Sequence, residues 1–170
     1  MDFFLFDTPL GPMALAAEEG ALTRLWLPGR PTPRIASHPT PLLEAARTQL
    51  AEYFAGERKS FDLPLAPRGT AFQKRVWRAL EDIPWGETRS YRDIALAADC
   101  PKGFRAVGMA NHENPLPIFI PCHRVVGADG ALTGYAGGLD LKRRLLELEG
   151  AVLPDSARAR RGSAPDPAAL

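Results

Sequence analysis

Residues 118–126 read Ile-Phe-Ile-Pro-Cys-His-Arg-Val-Val, an apolar run that ends in a cysteine followed at once by a histidine. The 170-residue chain has only two cysteines and three histidines, and two of these five residues are neighbours here. A thiol becomes a nucleophile when a base or a positive charge stabilises its thiolate. The string therefore predicts that Cys122 is reactive, with buried filler as the alternative. Side chains of neighbours on an extended segment point apart, so coupling to His123 needs a bridging water or a turn at Pro121.

The size and composition of the chain fit one ordinary domain or two small ones, with 45% hydrophobic residues to form a core. Cys100 and Cys122 are too few for a secreted disulfide framework or a four-cysteine zinc site, and a free nucleophilic thiol suits a reducing compartment. The N-terminus lacks the basic region and the long apolar run of a signal peptide, and no segment reaches transmembrane length. We therefore expect a cytoplasmic protein with no membrane partner.

The charge distribution argues against a protein that grips many phosphates. The net charge is +1, and residues 67–150 carry twelve basic and ten acidic side chains, whereas residues 1–66 carry six and eight. Strong phosphate binding normally requires a larger basic excess. Any binding of DNA is thus expected to be modest in affinity and to use contacts other than those of Lys and Arg.

The first third of the chain predicts a small α/β subdomain over residues 1–66, made of a short antiparallel sheet and a helix. Short apolar or alternating runs separated by glycine and proline are typical of strands, and a stripe of apolar residues at helical spacing indicates the helix. Residues 64–69 read as a linker. The predicted strands are residues 3–6, 13–16 and 22–27, with a candidate fourth at 61–63, and the predicted helix is about 41–54.

The remainder predicts a mainly helical domain over residues 67–153, so that the fold class is α+β. Thr70 is a candidate N-cap for a helix that ends near Ile83. The break at residues 99–101 separates two short helices in a helix-turn-helix pattern, which alone is a weak indication of DNA binding. The predicted short helices are about 90–98 and 102–112, a hairpin is expected at 129–130, a last helix at about 139–149, and a disordered tail at 154–170.

A helical wheel of the second short helix predicts an unusual outward face. An exposed helix face normally carries charged side chains, but here the predicted outward residues are small or apolar, with Arg105 at the margin. Such a face suits close approach to a shallow surface such as the minor groove of DNA, unless another part of the protein covers it. The predicted inward residues are Phe104, Val107, Gly108 and Asn111, and the outward ones are Ala106, Met109 and Ala110.

The last helix predicts a partly buried carboxylate. Leu141, Leu145 and Leu148 form its predicted inner face, and Glu149 lies on the border of that face. A carboxylate in such a position needs a partner, unless it is a solvated residue of the last turn.

These residues together resemble the O6-alkylguanine-DNA alkyltransferase family (methylated-DNA–protein-cysteine methyltransferases). The resemblance is strong over residues 69–150 and loose over 1–66, and the motifs occur in the order and spacing of the family. The matching strings are Gly69-Thr70-Ala71-Phe72-Gln73, Val76-Trp77, Ile83-Pro84-Trp85-Gly86-Glu87-Thr88, Ser90-Tyr91, Arg105-Ala106-Val107-Gly108, Asn114-Pro115, Pro117-Ile118, Pro121-Cys122-His123-Arg124-Val125-Val126, Gly134-Tyr135-Ala136-Gly137-Gly138 and Glu149-Gly150.

The resemblance implies direct and irreversible dealkylation of DNA. Cys122 would attack the alkyl carbon on guanine O6, and each molecule would act once. The resemblance leaves open the preference between alkyl groups on guanine O6 and on thymine O4. His123 would take the thiol proton through a water, and Glu149 would orient His123. Tyr91 would share a proton with guanine N3 as the bond to O6 breaks. The family uses no cofactor, and we expect a monomer.

The resemblance also implies how double-stranded DNA is bound. The second short helix would enter the minor groove with Ala106, Met109 and Ala110, and Arg105 would fill the stack when the damaged nucleotide flips out. The remaining implied contacts are a turn held by Asn114, the backbone N–H of Ala136 at O6, and the carbonyls of Cys122 and Val125 at the exocyclic amine.

The chain departs from the family pattern at two points, and two other functions are alternatives. Some relatives carry zinc in the N-terminal domain, but residues 1–66 have no cysteine and only His38, so we predict no metal. Ala136 replaces a serine of some relatives, which leaves open the tolerance for large alkyl groups. Alternatives are a non-catalytic sensor of alkylated DNA, which lacks the nucleophilic cysteine, and a cysteine hydrolase that would use Cys122, His123 and Glu149.

Overall fold

The structure, a computed structural model, describes residues 1–153; the predicted tail at 154–170 lies outside the described residues. The first part is a three-stranded antiparallel sheet in the order β1-β2-β3, followed by a helix. The central strand β2 is buried along residues 13–17, because side chains pack on both of its faces. The elements are β1 (Asp2–Thr8), β2 (Gly11–Glu18), β3 (Ala21–Trp26) and α1 (Pro41–Phe54).

The candidate fourth strand at residues 61–63 is absent from this part of the structure, and that prediction was wrong. The chain instead runs beside β3 at residues 64–66. There the Leu22 N–H donates to the Pro64 carbonyl at 2.9 Å, and the Ala66 N–H donates to the Leu22 carbonyl at 2.8 Å. Proline has no N–H to donate, so Pro64 and Pro67 limit the pairing to a single bridge at Leu65.

The second part is mainly helical and confirms the α+β class. Capping boxes begin two of its helices, one between Thr70 and Gln73 and one between Ser90 and Asp93. Asp99 has φ 58°, and this left-handed residue turns the chain between the paired short helices. The elements are α2 (Ala71–Glu81), β4 (Arg89–Ser90), α3 (Tyr91–Ala97), α4 (Phe104–His112), a 3-10 turn (Cys122–Arg124), β5 (Val125–Val126) and α5 (Leu139–Leu148).

The predicted hairpin near residue 129 is only a turn. The Gly130 N–H donates to the Gly127 carbonyl at 2.8 Å, but β5 pairs in parallel with β4 and not with a strand after the turn. β4 leads directly into α3, so this pairing places β5, which follows Cys122 and its turn, next to the start of α3.

Both parts of the chain contribute to one main hydrophobic core. Its members include Leu15 of β2, Leu50 of α1, Leu80 of α2 and Ile120 of the loop before Cys122. The Leu25 N–H of β3 donates to the Pro115 carbonyl at 2.8 Å, which ties the sheet to that loop. The division at residue 66 stays a prediction, because the core is continuous across it. None of the helices found between residues 1 and 153 has the length and apolar character needed to cross a membrane.

Candidate active site

The segment that carries Cys122 is held in an unusual backbone conformation. Ile118 is buried and has φ 74°, a left-handed conformation that a β-branched residue rarely adopts. Such strain costs about 1–3 kcal/mol and persists where the surroundings enforce it. Here the enforcing residue is Asn114, whose Nδ2 donates to the Ile120 carbonyl at 2.8 Å and whose Oδ1 accepts from the Leu116 N–H at 3.0 Å. Asn114 thus fixes the turn that delivers Cys122.

Glu149 is the centre of a buried hydrogen-bond network. Its Oε2 accepts from the Tyr53 hydroxyl at 2.5 Å and lies 2.7 Å from His123 Nε2. Arg124 reaches both oxygens, with Nε 2.8 Å from Oε1 and Nη2 3.0 Å from Oε2. The prediction that Glu149 is partly buried and has a partner is therefore confirmed, and at 3% exposure the residue is buried more deeply than predicted.

The electrostatics of the network fix the protonation of His123. Burial alone raises the pKa of Glu149, but the hydrogen bonds from His123 and Arg124, together with the charge of Arg124, outweigh burial and lower it to about 2. Burial lowers the pKa of His123, so the ring is neutral at pH 7. Because the Glu149 carboxylate only accepts, Nε2 carries the proton and Nδ1 keeps its lone pair. That nitrogen is buried and bonds to no group within residues 1–153.

Cys122 lies at the start of the 3-10 turn and is 3% exposed. Burial raises the pKa of its thiol to about 11, although nearby Asn114 and the charge of Lys142 act in the opposite direction. The buried hydroxyl of Tyr135 lies beside the sulfur without completing a well-formed hydrogen bond. No direct hydrogen bond joins the sulfur to His123 anywhere in the described chain, as expected for neighbours whose side chains diverge.

The inner face of α5 is rotated from its predicted position. Lys142 is fully buried, with Leu145 and Leu146, whereas Leu141 and Leu148 are only partly covered. Together with Glu149 these three residues follow the spacing i, i+3, i+4 and i+7, which is that of one helix face; Arg143, beside that face, is also buried. The predicted face did not include Lys142, whose long stem can be buried when the amine finds an acceptor. That acceptor is the Thr133 carbonyl, 3.1 Å from Nζ.

Tyr91 is the first residue of α3 and is partly buried beside the site. Its hydroxyl lies 2.8 Å from Thr133 Oγ1. Its ring packs close to Gly108 of α4, where a Cβ would stand 4.0 Å from Tyr91 Cε1. α4 thus packs against the start of α3 at Gly108, at a distance that an added Cβ would also accept.

The outward face of α4 differs in part from the prediction. Ala106 and Arg105 are exposed and Met109 is 63% exposed, as predicted. Ala110 is 2% exposed, so its placement on the outward face was wrong, and Phe104, predicted inward, is 47% exposed. The reason is that Trp77 of α2 packs under the helix end and donates Nε1–H to the Ala110 carbonyl at 2.8 Å. The inward face is consequently centred on Val107, Ala110 and Asn111.

Val125 and Ala136, the two remaining predicted site residues, differ in burial. Val125 is fully buried in β5, and Ala136 is partly exposed in the loop before α5. Ala136 also lines an open groove of about 440 Å³ between β3 and the end of α4. Within residues 1–153 no cluster of three or more His, Cys, Asp or Glu side chains is arranged to hold a metal ion.

Three buried residues of the site carry no role in the sequence-based prediction: Tyr53, Arg124 and Lys142. Tyr53 lies on the apolar stripe of α1, where a tyrosine ordinarily indicates core, and Arg124 occurs in the family motif only as the residue after His123. Lys142 could have been found from its spacing to Leu145 and Glu149. Nothing in the sequence links Tyr53 to Glu149, because 96 positions separate them.

Comparison with known families and proteins matches nearly the whole described chain. Residues 71–151 match the family described as 6-O-methylguanine DNA methyltransferase, DNA binding domain, and residues 3–67 match 6-O-methylguanine DNA methyltransferase, ribonuclease-like domain. The constitutive methylated-DNA–protein-cysteine methyltransferase of Bacillus subtilis is 54% identical over 151 residues, which cover 84% of this chain and 92% of the relative. The corresponding protein of Methanosarcina acetivorans is 49% identical over 154 residues, covering 88% and 99%.

Solved structures give the same result. The crystal structure of Mycobacterium tuberculosis OGT in complex with DNA superposes with a TM-score of 0.81 at 50% identity, covering 88% of this chain and 93% of that one. An O6-methylguanine DNA methyltransferase from Methanococcus jannaschii superposes with a TM-score of 0.67 at 30% identity, covering 89% and 95%.

Proposed function

Because the chain belongs to the O6-alkylguanine-DNA alkyltransferase family, we propose that it repairs alkylated DNA by moving the alkyl group from guanine O6 to Cys122. Membership of the family confirms the resemblance read from the motifs. The observation that carries the proposal is the buried cysteine followed by a hydrogen-bonded His123–Glu149 pair, in a chain whose helix α4 exposes Ala106 and Met109. Each molecule reacts once, because the thioether formed on Cys122 has no route back to a thiol.

The first requirement of the reaction is a thiolate. With a pKa of about 11, roughly one Cys122 in ten thousand is ionised at pH 7. We assign the removal of the thiol proton to Nδ1 of neutral His123, acting through a bridging water as the general base. The imidazolium that forms is stabilised by Glu149, whose carboxylate is already ionised and 2.7 Å from Nε2.

The transfer itself is a displacement at carbon. The sulfur of Cys122 forms a bond to the alkyl carbon, the bond from that carbon to guanine O6 breaks, and its electron pair stays with the base. Tyr91 supplies a proton at N3, so that guanine leaves as a neutral base. The backbone N–H of Ala136 serves O6, and the carbonyls of Cys122 and Val125 accept from the exocyclic amine.

DNA binding brings the base to the buried sulfur. A base inside a duplex cannot reach a thiol that is 3% exposed, so the nucleotide must flip out of the stack. We assign entry into the minor groove to Ala106 and Met109 of α4 and the filling of the vacated stack to Arg105. Ala110 supports this surface from below through its bond with Trp77. A reducing compartment such as the cytoplasm suits the free thiol, and one copy of the chain suffices for the reaction.

Intact-protein mass after incubation with an oligonucleotide containing O6-methylguanine tests the proposal. We expect one added methyl group per protein, mapped to Cys122, with saturation at one. Cys122→Ala should bind the oligonucleotide and gain no mass, whereas Cys100→Ala is the matched control and should react as the native protein does. Binding without a mass change in the native protein would instead identify a sensor of alkylated DNA.

A further inference from the structure

Thr133 hydrogen-bonds the side chains of two different helices. Its hydroxyl oxygen lies 2.8 Å from the Tyr91 hydroxyl, and its carbonyl accepts from Lys142 Nζ at 3.1 Å. Tyr91 begins α3 and Lys142 lies in α5, so Thr133 in the intervening loop connects the two helices through one residue. This connection is separate from the hydrogen bonds of Asn114 and Glu149 described above.

The two hydrogen-bond partners of Thr133 act on the two protons that move in the proposed reaction. Tyr91 gives a proton to the leaving base, while the charge of Lys142 acts on the thiol that must lose one. The same charge also acts on His123. The groups on which the charge of Lys142 acts are therefore the Cys122 thiol and the His123 ring, and the Thr133 carbonyl is the acceptor that holds the amine in place.

We propose that Thr133 is a positioning residue for alkyl transfer, whose hydroxyl donates to the Tyr91 oxygen and whose carbonyl holds the Lys142 ammonium beside Cys122. A phenol has one hydrogen, so a donated bond from Thr133 leaves the Tyr91 O–H free to point at guanine N3. As that proton moves to N3, the Tyr91 oxygen becomes negative and the bond from Thr133 becomes charge-assisted, which is a stronger bond. The interaction therefore favours the transition state over the bound substrate.

This inference rests on the proposed transfer reaction, and it predicts a division between rate and binding. Thr133→Val keeps the shape and the backbone carbonyl but removes the hydroxyl, so it should slow methyl transfer at saturating DNA by about tenfold to a hundredfold. The Kd for the oligonucleotide should change by less than about twofold. Thr133→Ser restores the hydroxyl and should recover most of the rate, a rescue that a merely structural role would not give.

The matched control is Thr23→Val, since Thr23 also has a bonded hydroxyl, which donates to the Ala16 carbonyl at 3.4 Å in the sheet, away from Cys122. It should transfer at the native rate. Native rates in Thr133→Val, or a Thr133→Ser variant as slow as Thr133→Val, would overturn the assignment of the hydroxyl. Failure of the native protein to gain a methyl group would instead contradict the transfer reaction itself.

A second measurement tests the carbonyl–Lys142 half without any DNA. Alkylation of Cys122 by iodoacetamide, mapped by peptide mass across pH, follows the thiolate population in the ligand-free protein. Burial lowers the pKa of Lys142 to about 8, so the amine is charged at pH 7 and largely neutral at about pH 10. Lys142→Met should therefore slow alkylation of Cys122 at pH 7 and change it little at about pH 10, whereas Thr133→Val, which keeps the carbonyl, should leave both rates unchanged. A native rate at pH 7 in folded Lys142→Met would overturn this half.

Discussion

Replacing Glu149 by glutamine isolates the charge of the buried network from its shape. Three donors converge on Oε2, from Tyr53, His123 and Arg124. A glutamine side chain is isosteric but brings its own N–H donors and carries no charge. The Arg124 guanidinium, 7% exposed, is then left without a counter-charge, and one of the converging donors faces an amide that cannot accept.

The size of the effect follows from the pKa of Glu149. A fall from 4.5 to about 2 corresponds to roughly 3 kcal/mol of preference for the ionised form in the folded protein. Because the folded-state pKa is depressed, this contribution is complete above about pH 4.5 and is lost as the pH falls toward 2. We expect Glu149→Gln to lower the free energy of unfolding by roughly 3 kcal/mol at pH 7 and by roughly 1 kcal/mol less at about pH 3.5.

Urea unfolding followed by fluorescence at the two pH values measures the difference. Glu52→Gln is the control, because the Glu52 carboxylate also lies 3.0 Å from an arginine, Arg58, but on the surface. That variant should change the free energy of unfolding by less than about 1 kcal/mol. A Glu149→Gln loss as small as that of the control, or one that is the same at both pH values, would refute the assignment of the charge as the stabilising feature.

Three further predictions concern α4 and its support. Arg105→Ala should slow repair of duplex DNA far more than reaction with free O6-alkylguanine base, measured by mass; equal losses would remove its place in the stack. Met109→Glu should weaken DNA binding about tenfold without lowering the melting temperature, because a carboxylate then faces phosphates, and an unchanged Kd in an anisotropy titration would contradict the α4 interface. Trp77→Phe should lower the free energy of unfolding by roughly 1–3 kcal/mol, since the buried Ala110 carbonyl loses its donor; urea unfolding would disprove this if no loss appeared.

The sequence was sufficient where a signal was local. The bounds of α1, the cap at Thr70 and the break at residues 99–101 depend on residues within one or two turns, and the family motifs identified Cys122 and its neighbours. The wheel for α4 failed because Trp77, a residue of another helix, decides which side is covered. The wheel for α5 failed because burial of Lys142 depends on an acceptor in a loop.

The network around Glu149 shows why the rest could not be read from the chain. The hydrogen bond from Tyr53 to Glu149 requires α1 and the end of α5 to meet, and packing in the common core brings them together. A buried tyrosine on an apolar stripe is ordinary in a sequence, and its hydroxyl becomes informative only when its partner is known. Roles at the site therefore had to come from family motifs, while the partners came from the fold.

The deep burial of Cys122 has a consequence for how long each molecule stays useful. A suicide protein holds a single equivalent of reagent, so any oxidant or stray electrophile that consumes the sulfur removes one future repair. With a pKa of about 11 the resting sulfur is almost entirely the unreactive thiol, and it is shielded from solvent species as large as glutathione. Repair capacity in the cell is then set by the number of molecules made, and little of it is lost during storage.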